Sequence, residues 1–211
     1  MLSKSRFNRR LHQIPENLWQ WVLAVLVKVF KELNTEQEYI IDSFPVKVCH
    51  NIRIKRCRLY QEETYRGYCA AKKEYFYGLR IHLLVTAEGQ PVEFVLAAAS
   101  HHDALILKDF TFDLPPEAII YGDKGYNDYV FEEFLIDSLQ IQLLPIRKKN
   151  SKRPLSGCRQ YIQKKVRKVV ETAGSQLNAL IPQKIHAVTP RGFELKVGLF
   201  VMAYTFSLLS W

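Results

Sequence analysis

The stretch YFYGLRIHLLVTAEGQPVEFVLA, Tyr75 to Ala97, constrains the fold more than any other part of the chain. Tyr75, Tyr77, Leu79, Ile81, Leu83 and Val85 occupy alternate positions, the two-residue period of a strand with one face turned to a core. Ala87–Pro91 then places Gly and Pro between two apolar runs, which predicts a hairpin turn, and Val92–Ala98 supplies the returning strand. A hairpin this apolar needs further strands beside it and helices over it before its faces are buried.

The rest of the sequence offers those elements. Glu38–Asp42, EYIID, reads as a short buried strand stopped by Ser43-Phe44-Pro45, and Val46–Gly67 is basic and irregular, without an assignment. AIIY at 118–121 and IQLLPI at 141–146 read as a fourth and a fifth strand. Helices are expected over Leu18–Leu33, from Asp103 through Phe110, and over Asn127–Asp137, Tyr161–Leu180 and Gly192–Leu209. The expected fold class is α/β, with a mixed five-stranded sheet flanked by helices. Residues 1–36 form an N-terminal helical segment, read as the remnant of a longer region, and 37–211 the sheet domain. At 211 residues with 48% hydrophobic content, one sizeable core is available and wholesale disorder is excluded.

Membrane spans are not expected. Leu18–Leu33 is interrupted by Gln20, Lys28, Lys31 and Glu32, and the uncharged Val197–Trp211 is shorter than the ~20 residues a span requires. The basic start MLSKSRFNRR lacks an apolar signal core. Cys49, Cys57, Cys69 and Cys158 show no Cys-x-x-Cys spacing and read as reduced, structural thiols of a cytosolic protein.

Charge is the second informative feature. The net charge is +9, and Ile146–Lys168 carries ten Lys or Arg and no Asp or Glu. A block of this kind suits a polyanion, with nucleic acid favoured over a membrane surface. Arg147, Lys148, Lys149, Lys152, Arg153, Lys164, Arg167 and Lys168 are the expected phosphate contacts, which position DNA without reading its sequence.

The stretch AIIYGDKGYND poses a chemical question. Asp and Gly favour turns, through local hydrogen bonds and positive φ, so Asp123 needs no further role on local grounds. Yet both the first and the fourth strand end in an Asp. If the two lie parallel and adjacent, Asp42 and Asp123 meet at the carboxyl ends of the strands, where ligands commonly bind. At 100° per residue, the 161–180 helix places Val166, Val170, Ala173, Leu177 and Leu180 on one apolar stripe and Lys164, Lys165 and Lys168 opposite. Glu171 stands at the border between them with Arg167 and Gly174. Three converging carboxylates repel one another unless a cation joins them. His101-His102-Asp103 is a weaker candidate metal cluster, with Asp103 read as a helix cap.

Five segments in order, YIIDSFPV, YFYGLRIHLLVTAEGQPVEFVLA, IIYGDKGYND, RKVVETAGSQL and RGFELKVGLFVMAYTF, resemble the catalytic domain of DDE transposases of bacterial insertion sequences, and insertion-sequence family 982 in particular. The resemblance implies an RNase H-like fold and a catalytic, metal-binding trio of Asp42, Asp123 and Glu171. The cofactor expected is a pair of Mg²⁺ ions, for which Mn²⁺ substitutes, activating water and then a DNA 3′-hydroxyl in successive in-line displacements. The partners expected are the terminal inverted repeats of the element and target DNA, handled by a homodimer in the nucleoid. The chain departs from the family's helix pattern at Lys164, Gly174 and Asn178. Two other readings stay open: a truncated, inactive remnant that only binds DNA, and a structure-specific nuclease of the same fold.

Overall fold

The computed structural model describes residues 3–147 and 151–209. Lys148 and Lys149 of the basic block lie outside them. A sheet of six strands, one more than expected, forms the middle layer. β1 (Glu38–His50) and β3 (Glu74–Thr86) pair antiparallel along almost their whole lengths, from Tyr39 opposite Thr86 to His50 opposite Phe76. On the other edge of β3, β2 (Arg66–Cys69) pairs with Glu74–Tyr77, and β4 (Pro91–Ala98) with Leu79–Val85. β5 (Ile119–Gly122) runs parallel to β1, and β6 (Gln142–Pro145) parallel to β5.

The hairpin forms as the alternation predicts, with Gly89 at φ 87° in its turn, a conformation in which glycine meets no steric cost. β1 departs from expectation by running straight through Ser43-Phe44-Pro45. Its parallel neighbour ends opposite Ile41. Past that point β1 is an edge, where proline is tolerated. The sixth strand, β2, lies in the segment left unassigned, and Gly67 lets it approach closely: a Cβ there would lie 2.7 Å from that of Ala99.

Helices cover both faces. α1 (Lys4–Gln13) and α2 (Glu16–Leu33) precede the sheet, and α2 packs on the same face as α3 (Asp103–Ile106) and α4 (Tyr129–Leu139). Tyr39, Ile41, Leu84, Ile120 and Leu143 form the sheet's side of that core. The opposite face, with Ile40, Leu79, Ile81, Leu83 and Val85, is covered by α5 (Gly157–Leu180) and α6 (Pro190–Ser207). Local chemistry sets the starts: Ser156, Thr189 and Asp128 each accept from a backbone amide in the first turn of α5, α6 and α4, as N-caps do. The helix expected from Asp103 to Phe110 is only one turn, followed by a 3-10 turn at Leu107–Asp109. Leu180, placed on the apolar stripe of α5, is 44% exposed, whereas Val170, Ala173 and Leu177 are buried. Among the described residues no helix is long and apolar enough to cross a membrane, and the four cysteines are unpaired.

Candidate active site where the parallel pairing of two strands ends

The pairing of β1 with β5 ends at Ile41 opposite Gly122, so Asp42 and Asp123 are the next residue on each strand. Alternation puts Asp42 on the face of Ile40 and Asp123 on that of Tyr121, the side covered by α5. There both carboxylates line a gap shared with Gln163 and Arg167 of α5. The gap measures about 10 Å³, no more than one water needs.

Arg167 Nη1 donates to Asp123 Oδ1 at 3.0 Å, and its Nε donates to Glu171 Oε1 at 2.8 Å. Side-chain exposures of 38%, 31% and 55% for Arg167, Asp123 and Glu171 leave the cluster open to solvent. Asp42 is more enclosed. Burial pushes its carboxyl up to about 6, against the pull of the Ser43 amide and Arg167, and Asp123 and Asp103 add to the rise. The site therefore brings the two aspartates together and reaches Glu171 only through the guanidinium. Among the described residues no three His, Cys, Asp or Glu side chains converge closely enough to hold a metal ion, and this includes His101-His102-Asp103. The donor chemistry nevertheless suits a hard divalent cation: all-oxygen carboxylate ligands, an aspartate whose charge is costly, and one arginine standing where positive charge is needed. Asp42, Asp123 and Glu171 would hold such an ion once Arg167 moves aside.

Asp103 belongs to the same strand ends from the other face of the sheet, a role its local sequence did not signal. Rather than capping its short helix, it accepts from Ser43 Oγ at 3.1 Å and lies 3.8 Å from His82 Nδ1 and 3.9 Å from Arg80 Nη1. His82 is fully buried, lies 2.9 Å from the Tyr126 hydroxyl and is pushed down to about 4 by burial, so the ring is neutral at pH 7. The Asp103 carboxylate also explains Gly125. A Cβ there would fall 2.2 Å from Asp103 Oδ2, and one at Gly122 would fall 3.2 Å from Ile41 Cγ2. Neither glycine has positive φ. The glycines flanking Asp123 thus supply room, not left-handed backbone. Tyr126, three residues after Asp123, is fully buried.

The basic block divides. Arg147 does not face solvent: its guanidinium, 8% exposed, donates to both oxygens of buried Glu132 at 2.7 and 2.5 Å and to Asn127. Its charge is spent inside the protein, which corrects the expectation of a phosphate contact. Arg153 pairs with Glu133 and lies over the Tyr129 ring. Lys152, Lys164 and Lys168 are exposed and free of any ion pair among the described residues, while Arg167 belongs to the carboxylate cluster.

Comparison with known proteins fits this geometry. Among curated protein sequences none matches the chain. In solved structures, the fold is similar to that of the piggyBac transposase, determined as a synaptic complex with hairpin DNA, at a TM-score of 0.53 and 8% identity. The alignment covers 82% of this chain and 47% of the piggyBac chain, so the present chain spans about half of that protein's length. Residues 33–187, more than half the chain and including every strand, match the family described as transposase DDE domain, and the chain belongs to that family.

Proposed function

We propose that the chain is the catalytic, RNase H-like domain of an insertion-sequence transposase, akin to insertion-sequence family 982, that cleaves element ends and joins them to target DNA. One observation carries the reading: Asp42 and Asp123 stand side by side just past the point where the parallel pairing of β1 and β5 ends, with Arg167 and Glu171 of α5 beside them. Mg²⁺ or Mn²⁺, when bound, would supply an activated nucleophile and neutralise charge on the leaving oxygen. Asp42 and Asp123 would hold the ions from the sheet and Glu171 from the helix. Arg167 bridges Asp123 and Glu171, and would be free to meet a phosphate where a metal ion took its place. Exposed Lys152, Lys164 and Lys168 track the DNA backbone, giving affinity that falls steeply with salt. The acting form is proposed to be a homodimer.

The test incubates purified protein with DNA carrying element ends and Mg²⁺ or Mn²⁺, beside Asp123→Ala. Metal-dependent cuts by the wild-type chain alone are expected. No cleavage by wild type overturns the enzyme reading, and equal cleavage by both removes Asp123 from the site.

A further inference from the structure

A second cleft opens beside the strand ends, at the outer edge of β3 where β2 and β4 meet. Its volume is about 360 Å³, and Asp103 and Gly125, two residues from Asp123, form part of its wall. Three features stand out there, although Arg66 also pairs with Glu63 at 3.4 Å. Tyr68 and Tyr75, cross-strand partners of β2 and β3, hold their rings 5.0 Å apart, yet remain 44% and 51% exposed. The Arg66 guanidinium lies 4.7 Å from the Tyr75 ring centre, extending the platform with a cation. Arg66 and Arg80 each bury an Nε without a hydrogen-bond partner among the described residues. Leaving such donors unpaired is costly.

Aromatic faces with guanidinium groups suit a base and its phosphate together. A duplex does not offer both, because its bases are stacked and only its phosphates are free. Arg80 Nη2 donates to the Tyr68 carbonyl, and Nη1 to Ser43 Oγ beside Asp42, so the cleft is tied to the strand that carries the first aspartate. We infer that this cleft binds one unstacked nucleotide of a single DNA strand, next to the phosphate being cut, with its base on Tyr68 and Tyr75 and its phosphate on Arg66 and Arg80. The inference rests on the DNA-cleaving reading of the neighbouring site, but its test does not use cleavage.

Fluorescence anisotropy in EDTA measures binding of a labelled single strand of about eight nucleotides and of a blunt duplex. Tyr75→Ala and Tyr68→Ala are expected to weaken single-strand binding about 5–50-fold, with duplex binding nearly unchanged. Tyr75→Phe keeps the ring and restores wild-type affinity. Circular dichroism confirms that each variant is folded. Absence of single-strand binding by wild type overturns the inference. So do folded alanine variants that bind like wild type, or variants that alter self-association while leaving DNA binding intact. Failure of DNA cleavage in the metal-dependent assay, with these affinities as expected, would overturn the active-site reading and leave the cleft standing.

Discussion

Arg147 and Arg167 bracket the basic block, and both bind carboxylates, but their surroundings differ. Arg147 is enclosed with Glu132 in a two-pronged pair, with Asn127 and the Tyr129 ring completing its shell. Arg167 bridges Asp123 and Glu171 in a half-open cleft, beside an aspartate whose carboxyl is pushed up to about 6. The first arrangement is closed, with its terminal nitrogens paired and only its Nε left without a hydrogen-bond partner among the described residues. The second holds like charges together around one half-exposed cation. Similar ion-pair distances therefore occur in two different settings: Arg147 fixes α4 against the end of β6, whereas Arg167 bridges two carboxylates that stay open to solvent.

Removing a carboxylate from each cluster separates them most strongly. Glu132→Ala strands a buried guanidinium and is expected to cost about 3–5 kcal/mol in urea unfolding. Glu171→Ala exposes an already hydrated arginine and should cost less than about 0.5 kcal/mol. Comparable losses at the two positions would erase the distinction. A smaller effect has the opposite sign. Since Asp42 titrates near 6 when folded, against 3.8 ordinarily, the folded chain binds this proton more tightly between those values. Folding therefore loses free energy as pH rises through that window. Asp42→Asn removes the cost, and in EDTA should stabilise the chain by about 1 kcal/mol at neutral pH, a gain that fades below about pH 4. A variant less stable than wild type at neutral pH would show that Asp42 is held by its partners rather than strained by them.

The features legible in the sequence were those repeated over many residues. Alternation over Tyr75–Val85 and the hairpin turn gave the centre of the sheet, and the helical stripe through Val170, Ala173 and Leu177 gave the packing face of α5. The adjacency of Asp42 and Asp123 followed once two strands were assumed parallel, because each aspartate ends an apolar run. What escaped depends on partners distant in sequence. Pro45 looked like a stop because nothing local shows that β1 has lost its parallel neighbour. Asp103 looked like a cap because Ser43 and His82, which it faces, come from other strands. Arg147 looked like a DNA contact because Glu132 sits on a helix with no sign that it turns inward. β2, four residues without a pattern, gave no signal at all.

The central claim is that the carboxylates at the strand ends take a divalent ion in place of Arg167. Titration of the DNA-free protein with Mn²⁺, followed by electron paramagnetic resonance, tests it directly. Wild type should bind Mn²⁺, more weakly as pH falls through about 6. Asp42→Asn and Asp123→Asn should each lose about tenfold or more in affinity, and Arg167→Met should bind at least as tightly as wild type. Mn²⁺ binding left unchanged by Asp123→Asn, or abolished by Arg167→Met in a folded protein, would contradict the account.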